Sequence, residues 1–369
     1  MLKKLFNLII PIFVSKRFNT LVFFVTSKCN SRCKFCFYWR NLNSKEPDLS
    51  LEEIEKIAHS LPQFSSLLLS GGEPFLRKDL AELIKIFYEE NKVRNVSVPT
   101  NGILVDKIAT TTEEILKLCP DINLNINFSL DGVREYHDKL RGVFGNYRKT
   151  ILAIKELNKL EERHFNLGVR ISTVVCRDNL EKIGEFLSEI GKEKINFLHY
   201  FEIVRGKPRL PGEKTLTPKR LKEVYKEILK YQEENYRKNI QPKTRSGYLW
   251  LWFRMAMLYS QYRIQLDNFL ENKPWGYKCE AGRKIVVLDY NSDFRLCELK
   301  KPEVNVRKID YDLGKFIHSQ TYEKALREVK NCDCTHVCFI LETIYTSPKF
   351  VFVRFPINLF KTLLRKYDF

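Results

Sequence analysis

Acid is scarce in this sequence. Its 369 residues carry 63 Lys+Arg against 45 Asp+Glu, a formal charge of +18. That imbalance points to an anionic partner: nucleic acid, a membrane surface, an acidic small substrate or an acidic electron-donor protein. Internal repeats and low-complexity tracts are also missing, which excludes a repeat array. No apolar run spans a bilayer. Leu5 to Val14 is too short, is broken by Asn7 and Pro11, and ends at Lys16-Arg17 without a small-residue cleavage site. Removal of this segment is not expected, and a basic, apolar end on a cytoplasmic protein is. Evenly scattered cysteine pairs are absent too, which excludes a disulfide-stapled secreted protein. The ten cysteines fall mostly in two clusters, at 29–36 and 279–338, as metal binding in a reducing cytosol would have them.

What is present is enough for one large domain of roughly 200 to 250 residues and a smaller one. From residue 20, short apolar runs alternate with longer amphipathic ones. Strands are expected at 20–26, 65–70, 94–100, 123–129, 167–175 and 195–204, most bounded by Gly, Pro, Asn or Ser. Five helical patterns lie between them, the first at 49–61 with Ser50 as its N-cap. Repeated βα units imply an α/β fold with a parallel sheet, closed or partly closed. Ligands of such sheets sit on the loops at the C-terminal strand ends. Residues 211–275 read as a helical bridge. A hairpin is expected from Cys279 to Cys297, turning at Asn291-Ser292-Asp293.

Cys29, Cys33 and Cys36 form C-x3-C-x2-C directly after the first strand. Three thiolates can hold three corners of an iron–sulfur cube. One iron then stays open, as the free position on a catalytic zinc does. The alternatives are structural zinc and three unrelated buried thiols. Zinc wants a fourth ligand, and Phe37 to Ala58 offers no His or Cys; His59 lies inside the first helix. Further motifs follow on successive strand ends. Ser70, Gly71, Gly72, Glu73 and Pro74 close the second strand, where glycines let backbone approach a ligand and Glu73 suits an ammonium group. Asn101 lies in "PTNG" after the third strand, and Ser129 and Asp131 in "FSLDG" after the fourth.

The C-x3-C-x2-C loop with Phe35 before its last cysteine, then Gly71-Gly72-Glu73-Pro74, "TNG" and "SLDG", resembles the radical S-adenosylmethionine (radical SAM) enzymes over residues 20–210. The resemblance implies a partial (β/α)6 TIM-like barrel and a [4Fe-4S] cluster whose open iron is chelated by SAM. It implies reductive cleavage of SAM to methionine and a 5′-deoxyadenosyl radical, with the cofactor carrying the hard chemistry. Cys29, Cys33 and Cys36 would be the cluster ligands, and Phe35 would pack near the adenine. Gly71 to Glu73 would hold the methionyl amino group. Ser129 and Asp131 are candidates for polar contacts, and Arg141 and Arg170 for the carboxylate, which suits guanidinium geometry. An acidic electron donor such as flavodoxin or ferredoxin is the implied partner, and nucleic acid is not expected.

The second group holds Cys279, Cys297, Cys332, Cys334 and Cys338. With Gly282 and the hairpin it resembles the SPASM or twitch auxiliary-cluster extensions of radical SAM enzymes, here a small cysteine-rich α+β domain at 276–345. The full seven-cysteine set is absent, and C-x-C-x3-C replaces its second half. Five thiols suffice for one auxiliary cluster with one cysteine to spare; structural zinc is the alternative. Cys119 and Cys176 read as ordinary buried residues, and His137 and His336 as structural ones. Both ends, 1–19 and 346–369, are basic and aromatic. Either they lie on an anionic membrane surface or they pack on the barrel. About 20 residues precede the first strand, too few for the peptide-recognition domain that many SPASM-type peptide maturases carry. The expected substrate is therefore an anionic, lipid or lipid-linked molecule. A peptide or protein maturase is the alternative, and a non-enzymatic iron–sulfur or zinc protein the second.

Overall fold

The computed structural model describes residues 18–239, 245–329 and 334–369. Most of the expected N-terminal segment, residues 1–17, and Cys332 lie outside them. Six strands run parallel to their neighbours: β1 (Thr20–Phe24), β2 (Ser66–Ser70), β3 (Asn95–Thr100), β4 (Asn123–Ser129), β5 (Leu167–Val175) and β6 (Leu198–Ile203). β4 shows why. Leu124, Ile126 and Phe128 are fully buried on one face, while Asn125, Asn127 and Ser129 alternate on the other. The polar face points into the partial barrel and the apolar face meets the helices.

Those helices are α1 (Leu51–Ser60), α2 (Leu80–Glu90), α3 (Val105–Leu118), α4 (Arg134–Arg141), α5 (Asn146–Glu161) and α6 (Ile183–Ile190). Ser50 caps α1 as expected. Its hydroxyl accepts from Glu53 N at 3.2 Å, and the Glu53 carboxylate accepts from Ser50 N at 2.9 Å. α6 buries Ile183, Phe186, Leu187 and Ile190, a helical stripe against the sheet.

After β6 come the long helices α7 (Pro218–Asn239) and α8 (Arg245–Glu271). They pack together beside β6, where Gln232 Nε2 donates to His199 O at 2.7 Å and to the Tyr262 hydroxyl at 2.9 Å. The chain then returns to the sheet. β7 (Ile285–Leu288) pairs parallel with β1, and β8 (Asp293–Arg295) and β9 (Val304–Asn305) follow antiparallel. The strand order is β6-β5-β4-β3-β2-β1-β7-β8-β9. All four residues of β7 are buried, as befits an interior strand. The hairpin turn sits one residue earlier than expected, over Tyr290 to Ser292. Asp289 N donates to Asp293 O at 2.8 Å, Ser292 takes φ 70°, and Asp293 already belongs to β8.

α9 (Gln320–Glu328), α10 (Val337–Thr346) and α11 (Phe355–Leu363) complete the chain. α11 lies on α8: Phe355 meets Phe253 at 5.0 Å, and Asn358 Nδ2 donates to Ser260 Oγ at 2.8 Å. The other side of the C-terminal segment is open, with Phe352 73% and Phe360 64% exposed. Among the described residues no helix is long and apolar enough to cross a membrane.

Candidate active site

The cysteine loop is held by backbone bonds from both ends. Asp48 accepts from Thr26 Oγ1 at 2.7 Å and Ser27 N at 3.2 Å. Asn43 grips Cys29 through both its amide and carbonyl. Arg32 N and Lys34 N donate to the carbonyls of Arg141 and Leu140, at 2.9 and 3.0 Å. The Gly71-Gly72 turn presses against the same loop. Gly72 N donates to Thr26 O and Glu73 N to Lys28 O, both at 2.8 Å. A Cβ on Gly72 would lie 2.0 Å from Lys28 O, and one on Gly71, at φ +111°, 2.5 Å from Thr26 O. The glycines are thus required by the close approach of two loops.

Cys29, Cys33, Cys36 and Phe35 border a cavity of about 180 Å³ at the C-terminal strand ends. Gly71, Gly72 and Glu73 reach it from β2, Asn101 from β3, Ser129 from β4, and Arg141 from the end of α4. Pro74, Asp131 and Arg170 do not line it. Pro74 starts the turn after Glu73. Asp131 is fully buried and works through Arg141, whose Nε and Nη2 it holds at 2.7 and 2.6 Å. Arg141 Nη1 in turn donates to Cys33 Sγ at 3.5 Å, and its guanidinium lies 5.1 Å from the Phe35 ring. Burial alone would lower Arg141, but Asp131 and Cys33 more than offset it and keep the cation. Arg170 lies farther down β5.

Glu73 is nearly inaccessible and already accepts three hydrogen bonds. Thr100 Oγ1 donates at 2.9 Å, Phe75 N at 3.2 Å and Asn101 N at 2.7 Å. It ties the ends of β2 and β3 together, with lone pairs to spare for a ligand. Burial pushes its carboxyl up to about 7 against those bonds. His137 accepts from Asp131 N at 3.1 Å and meets Asn146 Oδ1 at 3.1 Å. Burial and Arg141 push it down to about 3, so it is a neutral, structural ring. Cys119 and Cys176 are fully buried.

Sequence reasoning missed Glu202 and Arg205, which also border the cavity. Arg205 pairs with Glu202 and, through Nε at 2.8 Å, with Glu298; it covers the Phe37 ring at 4.6 Å. Glu298 Oε1 lies 2.7 Å from His336 Nε2. Burial alone would raise Glu298, but His336 and Arg205 hold it down to about 2. This chain of polar contacts joins the cavity to the second cysteine group, because Glu298 follows Cys297 and His336 lies between Cys334 and Cys338. A contact between residues 38 apart, as of Glu298 with His336, leaves no local pattern in the sequence. Burial pushes the Cys297 thiol up, and Cys334 and Cys279 are close enough to add to it. Cys338 lies beside Arg205 and Glu298. Gly282 takes φ +77°, where a Cβ would meet Leu326 at 2.6 Å.

The donor set fits an iron–sulfur cluster. All nine described cysteines are free thiols. Burial pushes Cys29 up to about 12 and Cys36 up to about 11, with the neighbouring thiols adding to it. A bound cationic centre reverses that balance and takes the thiolates. Among the described residues no three His, Cys, Asp or Glu side chains are gathered to hold a single metal ion; the thiols border a space instead of converging on a point.

Residues 23–190 match the Radical SAM superfamily. Over 187 residues the chain is 31% identical to the Fe-coproporphyrin III synthase of Methanosarcina barkeri, covering 50% of this chain and 44% of that one. Over 222 residues it is 27% identical to the cysteine-type anaerobic sulfatase-maturating enzyme of Clostridium novyi, covering 55% of this chain and 56% of that one. The chain thus spans about half the length of these curated relatives. The solved structure of native anSMEcpe with bound AdoMet (SAM) and Cp18Cys peptide shares the fold, with TM-score 0.58 and 14% identity over 95% of this chain and 98% of that one. Residues 23–190 are a radical SAM domain, and the cofactors of that domain are a [4Fe-4S] cluster and SAM.

Proposed function

We propose that this radical SAM protein is an enzyme that cleaves SAM reductively and abstracts hydrogen from an anionic substrate. The observation that carries the reading is the shared cavity of Cys29, Cys33, Cys36, Arg141 and the Gly71-Gly72 turn. Cys29, Cys33 and Cys36 would hold the cluster. When bound, cluster and SAM supply a 5′-deoxyadenosyl radical through one-electron cleavage. Arg141, braced by Asp131, positions the Cys33 side of the loop and offers its remaining donors to a carboxylate. Gly71 to Glu73 hold the methionyl ammonium. Ser129 and Asn101 supply polar contacts, and Phe35 an apolar wall. Four of Cys279, Cys297, Cys332, Cys334 and Cys338 would hold an auxiliary cluster, with either Cys332 or Cys334 as the spare. The basic surface suits an acidic donor such as flavodoxin or ferredoxin.

The outer side of the C-terminal segment supports a lipid or lipid-linked substrate at a membrane surface. Phe352, Phe360 and Leu363 are exposed there beside the exposed Arg365 and Lys366, a pattern suited to an anionic bilayer. Co-sedimentation with phosphatidylglycerol vesicles tests it: retention supports a membrane substrate, and none at low salt removes it. A second reading, peptide or protein maturation, is favoured by the sulfatase-maturating relative and the peptide-bound neighbour. Anaerobic reconstitution with dithionite and SAM tests the enzyme itself through 5′-deoxyadenosine release; a non-enzymatic iron–sulfur or zinc protein releases none.

A further inference from the structure

Below the cavity, β5 and β6 carry a second polar site. Arg170 shares a strand face with Val174, and Tyr200 with Glu202, because side chains two and four residues apart point the same way. Val174 and Glu202 both border the cavity. At roughly 3.3 Å per residue, Arg170 starts about 13 Å from Val174. Arg254 arrives from α8. The Arg170 guanidinium carbon lies 5.5 Å from the centre of the Tyr200 ring, and that of Arg254 lies 5.3 Å from the same ring and 5.1 Å from Tyr236.

Among the described residues neither arginine has an acid beside it. The Nε of each is buried with no hydrogen-bond partner among the described residues. Burial pushes both down to about 10, and Arg170 adds to the effect on Arg254. Glu202, farther along the same face, is committed to Arg205. Arg141 and Arg77, by contrast, are matched, by Asp131 and Asp79. The side chains that are not described include two acids, Glu328 and Asp333. Two cations against one ring repel each other, and a half-buried charge with no acid beside it is unfavourable. Ring contacts return only about 0.5–2 kcal/mol each.

We propose that Arg170 and Arg254 form an oxyanion subsite that grips a carboxylate or phosphate of the substrate. Guanidinium forks bind both groups bidentately. An anion seated there leaves about 13 Å of strand face along which the rest of the molecule reaches the cavity. The assignment of the anion to substrate rests on the enzyme reading above; the site itself does not.

The test is thermal melting of the full, reconstituted chain with inorganic pyrophosphate in one arm and malonate in the other. At least one raises the melting temperature of wild type, and which one names the oxyanion class. Arg254→Met weakens that response at least tenfold in apparent Kd, Arg170→Gln does likewise, and Arg254→Lys retains part of it. Exposed Lys149→Met keeps it, which separates the subsite from the protein's general basicity. With no anion added, Arg254→Met melts at or above wild type, because an unpaired charge is removed. No response in either arm, or an unchanged response in both Arg254→Met and Arg170→Gln, overturns the proposal. Release of 5′-deoxyadenosine is read separately: its absence sinks the enzyme reading and leaves the anion site standing.

Discussion

Cys29, Cys33 and Cys36 border an open cavity, whereas Cys279 and Cys297 are buried at the two ends of a hairpin, next to the contacts of Arg205, Glu298 and His336. The first loop is pinned by the side chains of Asp48 and Asn43 and by backbone bonds to the end of α4. The second group is packed from outside, with Trp275 Nε1 donating to Cys334 O at 2.7 Å. Three thiols border one cavity in the first group, whereas in the second Cys279 and Cys297 are buried and Cys334 and Cys338 half-buried. That difference is why chemistry is proposed for the first group and electron relay or structure for the second.

Iron content breaks or sharpens that contrast most strongly. Reconstituted wild type should hold about eight irons, and Cys33→Ala and Cys297→Ala about four each. Loss of all iron in either variant would join the two groups into one site. Gly72→Ala comes next. Its Cβ would lie 2.0 Å from Lys28 O, so loop and turn must part at a cost of about 1–3 kcal/mol. SAM cleavage should fall about ten- to a hundredfold, with the second cluster's spectrum unchanged. If cleavage is unaffected, the turn does not position the loop.

The acid side of the pH–stability curve tests the barrel beneath the first group. His137 has a folded pKa of about 3, below its ordinary 6.5, so on acidification the unfolded chain takes the proton first. Stability present above pH 6.5 is lost as pH falls toward 3. His137→Gln should flatten that slope by about 1.4 kcal/mol per pH unit in urea titrations; an unchanged slope means the ring is already charged. The smallest effect belongs to the C-terminal surface. Phe360→Ser and Lys366→Gln should each weaken binding to anionic vesicles about five- to tenfold, and equal binding by both would place the contact elsewhere.

Much of the barrel was legible because it is written in local period. β4 and β5 match their expected spans residue for residue, and Ser50 caps α1 as its sequence announces. The loop motifs were legible because tight approach demands glycine, as at Gly71 and Gly72. Partners distant in sequence were not. Nothing in "KIVVLDY" says that β7 pairs with β1 instead of opening a separate sheet. Asp131 and Arg141 read as two candidate ligand contacts, yet they hold each other. Arg170, expected near the SAM carboxylate, is carried by the strand's own rise away from the cavity toward Arg254.

The central claim is that the first group makes a radical and the second does not. The direct measurement is 5′-deoxyadenosine released after anaerobic reconstitution with dithionite and SAM, in wild type, Cys33→Ala and Cys297→Ala. Release by wild type and Cys297→Ala, with none from Cys33→Ala, is the predicted result. A wild type with its full iron that releases none, or a Cys33→Ala variant that still does, contradicts it.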